Sequence, residues 1–248
     1  PVYLLGGPMM GRIGRAQDVV TKTTNAVLVL PQEHQIVQRM RSSSSIDMKR
    51  AASACCQCQM CTDLCPRHLL GHPIEPHRFM RSAANRDFQD LQPFLDTMFC
   101  SSCGLCELFS CPQGLSPRTL IAEYKAGLRK AGVKLPDVTA APVLEARAYR
   151  KAPEARLEAR IGLYKYHKPA PISHTQAEAS KVKLLLSQHI GAPAVPVVAK
   201  GETVTAGQMI AGPADGLSTA IHASIDGMVT AVEKNYIMIE NRKGRADR

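Results

Sequence analysis

Two groups of cysteines carry the chemistry that this chain of 248 residues can perform. In the first group, two residues separate each of the first three cysteines and proline follows the fourth; its members are Cys55, Cys58, Cys61 and Cys65. The second group repeats the pattern with four rather than three residues before its last member; it consists of Cys100, Cys103, Cys106 and Cys111. Three thiolates at this spacing wrap a loop around three irons of a [4Fe–4S] cube, and a fourth completes the ligands. The sequence therefore predicts two [4Fe–4S] clusters.

The fourth cysteine of each group is expected to bind the cluster of the other group, as in bacterial two-cluster proteins. The first predicted ligand set is Cys55, Cys58, Cys61 and Cys111. The second is Cys100, Cys103, Cys106 and Cys65. The extra residue between Cys106 and Cys111 is a departure from the usual spacing, and it lengthens the loop that must present Cys111.

Other uses of the cysteines explain the pattern less well. Zinc held by two C-x2-C pairs would leave two cysteines of each group unused. The odd total of nine cysteines, clustered in two short runs, argues against a disulfide framework. Cys56, the ninth, is interpreted as a small buried residue, with a spare ligand as the alternative. His68, His72 and His77 are interpreted as surface histidines with local hydrogen bonds rather than as metal ligands or proton relays.

Short helices are predicted to position both groups, because the 34 residues between Cys65 and Cys100 are too many for a compact hairpin. One helix is expected to begin at Ile46 after the cap Ser45, two more to cover residues 73–87 and 88–98, and another to begin at Glu154. A longer helix should run from the N-cap Ser116 to Gly132. Its predicted buried stripe is Leu120, Ile121, Tyr124 and Leu128.

Short strand-like segments separated by turn residues predict a small all-β domain in the C-terminal part of the chain. Short strands are predicted over residues 182–186, 195–198, 208–211, 219–223, 228–232 and 236–240, with turn residues between them. This domain resembles a barrel-sandwich of the biotinyl/lipoyl type. Its candidate hairpin tip, residues 212–218, contains no lysine, so a docking or structural role is favoured over a swinging-arm carrier.

Composition excludes several classes of function. The net charge is +10, of which residues 113–168 carry +7, yet aromatic residues make up only 4% and tryptophan is absent. A base-stacking surface needs aromatic side chains, so no nucleic-acid partner is expected, and the basic stretch is interpreted as a solvated or docking face. No apolar run approaches the length of a membrane span and no secretory signal is present, so we expect no membrane insertion and a cytoplasmic location.

Several segments together resemble the RnfC-related electron-transfer family. They are the turn at residues 6–11, the stretch 20–25, both cysteine motifs, and residues 160–163, 186–193 and 221–224. The order of cysteine motifs before barrel-sandwich is similar to that of the corrinoid reductases of this family. The resemblance implies an α+β protein with a helical dicluster ferredoxin-like domain followed by a small all-β barrel-sandwich hybrid domain.

The resemblance also implies a domain division. Residues 1–50 would be the end of a flavin- and NADH-binding half with a linker, and residues 51–135 the two-cluster domain. Residues 136–180 would form a helical, proline-rich linker, and residues 181–248 the barrel-sandwich. Residues 1–31 read as turn and strand, with a strand over 19–30, and lack the order G-x-G-x-x-G of a dinucleotide site. FMN and NADH are therefore expected to bind outside this chain.

The function implied is electron transfer through both clusters, within a reductase that uses NADH to supply reduced cobalamin for adenosylation in 1,2-propanediol degradation. Cobalamin would be the substrate, and a cobalamin adenosyltransferase and the proteins of a bacterial microcompartment would be partners. The alternative is an electron-transfer subunit of a membrane ion-translocating oxidoreductase. No catalytic residue is assigned.

Overall fold

The computed structural model of this protein describes residues 1–135, 137–169, 171–172 and 178–241. Its packing divides the chain into two compact units. The helical unit contains Pro1–Gly14 and Val27–Pro169, and the β unit contains Arg15–Ala26 together with the described residues that follow residue 170. The division expected at residues 50, 135 and 180 stays a prediction, and parts of the segments 136–180 and 181–248 lie outside the described residues.

The helical unit begins with a small antiparallel sheet in the order β2-β1-β3. Its strands are β1 (Val2–Leu5), β2 (Arg12–Ile13) and β3 (Val27–Leu30). The turn between β1 and β2 requires glycine, because Gly6 has a φ of 93° and a Cβ on Gly11 would collide with the carbonyl oxygen of Gly7. The strand expected over residues 19–30 is wrong for its first part: only Val27–Leu30 is extended and paired, and the preceding residues pack in the β unit.

Short helices make up the rest of this unit. The α-helices are α1 (Gln35–Met40), α2 (Ser44–Ala54), α3 (Met60–Asp63), α4 (Pro66–Leu69), α5 (Pro76–Asn85), α6 (Gln92–Leu95), α7 (Pro117–Lys130) and α8 (Glu154–Arg160). Turns of 3-10 helix cover Asp96–Phe99, Glu145–Ala148 and Tyr164–Tyr166, and a π-helical turn covers Cys106–Ser110. In the described ranges, no helix has the length and apolar character needed to cross a bilayer.

Two of the expected helices form, but their first and last residues differ from the expected ones. The segment 73–87 is helical only over Pro76–Asn85, and 88–98 is a short α-helix that continues as a 3-10 turn. The expected cap at Ser45 is wrong: Ser43 has the extended backbone of an N-cap residue, and the helix already begins at Ser44.

Helix α7 follows the sequence pattern closely. Ser116 precedes it, Pro117 occupies its first turn, and Gly132 lies beyond its end with a φ of 79°. Leu120 and Ile121 are fully buried in the core. The ring of Tyr124 packs edge-on against Phe79, 5.1 Å between centroids, while Cys55, Cys100 and Cys111 pack against the same apolar cluster. The contacts that hold the helices together therefore also hold the cysteine loops.

The β unit contains two antiparallel sheets around one core. Its strands are β4 (Lys181–Leu185), β5 (Val195–Pro196), β6 (Thr203–Val204), β7 (Met209–Gly212), β8 (Ile221–His222), β9 (Gly227–Val232) and β10 (Tyr236–Glu240). One sheet has the order β4-β10-β9-β6 and the other β5-β7-β8. Ile237 and Ile239 of the first sheet and Ile210 and Ile221 of the second belong to the same buried cluster. The short strands thus form the expected small all-β domain, with two sheets packed on one core.

The strap Arg15–Ala26 completes the β unit. The ammonium group of Lys22 donates to the carbonyl oxygen of Ala220 at 2.8 Å, and its backbone N–H donates to Oε1 of Gln188 at 2.9 Å. Both partners belong to the barrel-sandwich part of the unit, more than 160 residues later in the chain. This long-range pairing explains why the residues before β3 do not continue the N-terminal sheet.

We expect Ile237→Ala to destabilise the β unit by about 2–5 kcal/mol, because it leaves a cavity in place of a fully buried side chain. Ile237 pairs with Leu184 on one side and Val232 on the other. Amide hydrogen exchange of β9 and β10 in the full chain measures the change. The control is Val197→Ala, since Val197 is 55% exposed and its truncation should cost under about 0.5 kcal/mol. Equal protection in both variants would contradict this prediction.

Candidate metal centre

The two cysteine loops have the same backbone conformation. Gln57 and Gln59, on either side of Cys58, have φ angles of 55° and 62°, and Ser102 and Gly104, on either side of Cys103, have φ angles of 58° and 84°. A left-handed conformation costs a residue other than glycine roughly 1–2 kcal/mol, so three such residues in these loops indicate a conformation that function requires. Alternating right- and left-handed residues turn successive backbone N–H groups toward one side, which forms an anion-binding concavity typical of iron–sulfur sites.

Each loop encloses part of a small cavity. The space within cavity I, part of which is open solvent, amounts to about 360 Å³. Its lining includes Cys55, Cys58, Cys61 and Cys111, with Cys56, Gln57, Gln59, His77, Met80, Pro112, Gln113, Leu115 and Pro117 around them. The space within cavity II, likewise partly open solvent, amounts to about 320 Å³. Its lining includes Cys65, Cys100, Cys103 and Cys106, with Pro66, Arg67, Ile74, Pro76, Ser101, Gly104, Arg118 and Ile121.

The cavities therefore mix the two cysteine groups. Cys111, from the second group, lies with the first three cysteines of the first group, and Cys65 lies with those of the second. Two cavities of similar size, each lined by four cysteines of the two groups, with Cys56 in addition at cavity I, fit two copies of one polynuclear group. Among the described residues, no three His, Cys, Asp or Glu side chains converge closely enough to hold a single metal ion.

A π-helical turn accommodates the extra residue before Cys111. In the first group, α3 (Met60–Asp63) leads toward Cys65, whereas in the second group Cys106–Ser110 forms one wider turn. The hydroxyl of Ser110 donates to the carbonyl oxygen of Leu105, five residues earlier, at 3.1 Å. A π turn holds one residue more than an α turn, so Cys111 still reaches the lining of cavity I.

Burial makes three of these cysteines, Cys61, Cys65 and Cys106, poor thiolates unless a cation is present. Burial raises the pKa of Cys61 to about 12, and the neighbouring Cys111, Cys55 and Cys58 add to the rise. Burial likewise raises the pKa of Cys65, and that of Cys106 strongly, with a further contribution from Cys100. Thiolates crowded into a buried cavity require positive charge among them, and iron bound by deprotonated thiolates supplies it. The residues present thus fit [4Fe–4S] groups.

Hydrogen bonds reach several of the sulfur atoms. The backbone N–H of Ser102 donates to Sγ of Cys100 at 3.3 Å, and that of Leu115 donates to Sγ of Cys111 at 3.4 Å. The side-chain amide of Gln57 donates to Sγ of Cys55 at 3.2 Å. Such donors stabilise negative charge on sulfur and so influence the reduction potential of a bound cluster.

The cavities differ in exposure and in charge. Cys58 of cavity I is exposed, whereas the four cysteines of cavity II are buried or half-buried. Arg67 and Arg118 line cavity II, while glutamines and His77 surround cavity I. In addition, the ammonium group of Lys125 donates to the carbonyl oxygen of Cys100 at 2.6 Å. A bound anionic group is consequently nearer to cationic side chains in cavity II than in cavity I.

Cys56 is not the buried residue expected from sequence. It is exposed at the rim of cavity I, because the loop that carries it faces solvent between Cys55 and Cys58. Two of the three histidines make the local hydrogen bonds expected of them: Nδ1 of His77 pairs with the hydroxyl of Thr62 at 2.8 Å, and Nε2 of His72 with Arg67 at 2.9 Å.

Sequence reasoning missed the charged residues behind the second cysteine group. Glu107 is buried, and Arg39 and Arg160 bond to backbone carbonyls of this segment. The sequence signal available for Glu107 was its place directly after Cys106, a predicted cluster ligand. Nothing in the local sequence marks Arg39 and Arg160, because their partners lie 68 and 49 residues away.

Two stretches of the chain match known domain families. Residues 54–116 match the 4Fe-4S dicluster domain, and residues 163–244 match the RnfC Barrel sandwich hybrid domain. These ranges contain the two cavities' cysteines and the two sheets of the β unit. The expected fold class, a helical dicluster domain followed by a barrel-sandwich hybrid domain, is confirmed.

Curated relatives extend the similarity over nearly the whole chain. Cobalamin reductase PduS of Salmonella typhimurium is 40% identical over 241 residues, which are 96% of this chain and 53% of the relative. Cobalamin reductase PduS of Citrobacter freundii is 38% identical with the same coverage. The chain thus spans about half the length of these relatives.

A third relative matches a shorter stretch. It is a component of the Na(+)-translocating ferredoxin:NAD(+) oxidoreductase complex of Acetobacterium woodii, and it is 49% identical over 49 residues, which are 20% of this chain and 11% of that protein. Together with the barrel-sandwich match, this confirms the resemblance to RnfC-related proteins.

We expect Cys65→Ala to perturb the cluster of cavity II and to leave that of cavity I largely intact, although Cys65 belongs to the first cysteine group. Cys111→Ala should have the opposite effect. Electron paramagnetic resonance of the anaerobically reconstituted, reduced chain distinguishes the two signals. Cys56→Ala is the matched control and should alter neither. If Cys65→Ala abolishes only the signal that depends on Cys55, Cys58 and Cys61, the grouping of the cysteines by cavity does not describe the ligands.

Proposed function

We propose that this chain, which is related to cobalamin reductases across almost all of its length, transfers electrons through two [4Fe–4S] clusters to the cobalt of a corrinoid. The observation that carries the proposal is the pair of similar cavities, each of which has in its lining three cysteines of one group and one of the other. The domain matches and the names of the relatives support the same function.

The ligand sets belong to the proposal. Cys55, Cys58, Cys61 and Cys111 hold one cluster. Cys65, Cys100, Cys103 and Cys106 hold the other. When bound, a [4Fe–4S] group supplies outer-sphere transfer of single electrons. The protein contributes thiolates at fixed positions, N–H donors to sulfur, and apolar walls that keep water from the buried cysteines.

Electron exchange with the corrinoid is expected at cavity I. Cys58 is exposed there, and uncharged glutamines surround it, so a large polar ligand can approach the rim closely. The cysteines of cavity II are shielded, which suits a relay position. Neither role requires a protein group to form a bond with the substrate. The chain contributes by binding the corrinoid and by setting the distance between the corrinoid and the cluster.

NADH and FMN are proposed to act in the other half of a longer protein, since the relatives are about twice as long as the residues they share with this chain. Cobalamin is the proposed substrate, and a cobalamin adenosyltransferase the proposed acceptor of the reduced corrinoid. A cytoplasmic location within a bacterial microcompartment is part of the same proposal.

A second candidate is an electron-transfer subunit of an ion-translocating oxidoreductase. The 49-residue match to the Acetobacterium woodii protein and the RnfC barrel-sandwich match favour it. In that case the clusters would exchange electrons with partner subunits and cobalamin would not be a substrate.

We expect the reconstituted chain, reduced chemically at its clusters, to convert cob(III)alamin to cob(II)alamin. A variant with all eight proposed ligand cysteines changed to serine should be at least tenfold slower, about 1.4 kcal/mol in activation free energy, because the electron route is lost. Stopped-flow absorbance of the corrinoid measures both rates after subtraction of residual reductant, and Cys56→Ser is the matched control. Equal rates would exclude the proposed route, and reduced clusters that transfer to other acceptors but not to cobalamin would favour the second candidate.

A further inference from the structure

The buried carboxylate of Glu107 lies beside the cysteines and is left unexplained by ligand binding alone. It directly follows Cys106 and is only 2% exposed. Its Oε2 accepts hydrogen bonds from the backbone N–H and from the hydroxyl of Thr119, both at 2.9 Å. Its Oε1 lies 3.5 Å from the guanidinium of Arg118. A buried carboxylate with this many donors is held in one position.

These bonds make Glu107 the cap of α7. Ser116 precedes the helix but its side chain makes no capping hydrogen bond. Thr119 is the third helical residue, and its N–H is one of those that a helix start leaves without an intrahelical partner. Glu107 fills that role from another element, so the start of α7 is fastened to the π-helical turn.

Two arginines bond to the backbone of this segment. Arg39 of α1 donates to the carbonyl oxygen of Glu107 at 2.6 Å, and Arg160 of α8 donates to that of Cys111, directly after the turn, at 2.6 Å. Three helices, α1, α7 and α8, thereby contribute to fixing the segment.

The segment so fixed contributes to both cavities. Cys106 lines cavity II and Cys111 lines cavity I. The first turn of α7 does the same, because Pro117 lines cavity I while Arg118 and Ile121 line cavity II. A displacement of Glu107 would therefore move ligands and walls of both cavities.

We propose that Glu107 is a positioning residue for both clusters, which locks the turn Cys106–Ser110 onto the start of α7 and, together with Arg118, adjusts the reduction potential of the cluster in cavity II. The inference rests on the cluster assignment of the proposed function. The proposal also gives a reason for the longer spacing of the second cysteine group, because the wider turn presents Glu107 to α7.

Substitutions by glutamine test the effect of the charges of Glu107 and Arg118 separately from the positioning role of Glu107. Glu107→Gln keeps a side-chain acceptor for Thr119 but removes the negative charge, so iron content should stay at about eight per chain. The potential of the cavity II cluster should shift to more positive values, because reduction adds negative charge. Arg118→Gln should shift it to more negative values. A shift counts as support when it changes the oxidised-to-reduced ratio at a fixed potential at least threefold.

Glu107→Ala removes the lock as well as the charge, and we expect the iron content to fall to about half or less. The matched control is Glu123→Gln on the exposed side of α7, which should change neither iron content nor potential. Redox titration followed by electron paramagnetic resonance, with iron analysis, gives both readouts without cobalamin. If Glu107→Ala does not fold, as judged by circular dichroism, the Gln variants still decide the electrostatic part.

Full iron content and unchanged potentials in Glu107→Ala would overturn this inference while leaving the proposed function intact. The same holds if Glu107→Gln and Glu123→Gln shift the potential equally. An unsubstituted chain that binds no iron–sulfur clusters would instead overturn the cluster assignment itself.

Discussion

The cost of burying thiolates governs the helical unit. Cys65, Cys106 and Cys111 are buried. Burial raises the pKa of Cys65 and of Cys106, so a compensating cation is needed for these two side chains to be thiolates readily. A polynuclear iron group satisfies several thiolates at once, and it needs a cavity with ligands on all sides. No single loop provides this geometry. Each cavity therefore depends on a cysteine from the other group, which couples the two loops into one folding unit.

This coupling explains why the two loops share one conformation although their sequences differ. Gln57 and Ser102 both adopt a left-handed backbone before the middle cysteine, despite the strain for residues with a Cβ. After the middle cysteine the sequences diverge, because Gly104 replaces a glutamine where a Cβ would approach the carbonyl oxygen of Met9 to 3.3 Å. The N-terminal hairpin thus packs closely against the second loop, and the tight contact together with a φ of 84° favours glycine at this position. The residue that follows the middle cysteine in each loop therefore depends on the element that packs against that loop.

Spacing and periodicity are sufficient to predict the elements with local causes. The cysteine motifs, the stripe of Leu120 and Ile121 on α7, and the strand Tyr236–Glu240 are encoded by neighbours within a few residues. What cannot be predicted depends on distant partners: the strap around Lys22 bonds to residues 166 and 198 positions away, and its β-branched residues indicate a strand instead. The exposure of Cys56 depends on which side of its loop faces solvent, and spacing carries no information about that.

The basic stretch 113–168 illustrates how charge acquires meaning only through the fold. Composition alone indicates a solvated or docking face. In the structure, three of its basic residues bond to the cysteine segments: Arg118 to Glu107, Lys125 to the carbonyl oxygen of Cys100, and Arg160 to that of Cys111. Two anionic clusters and a buried carboxylate would repel one another in an apolar interior. Basic side chains from a later part of the chain offset this repulsion. Part of the positive net charge therefore lies beside the cysteine segments. For this reason, the net charge alone overstates the basic surface that is open to partners.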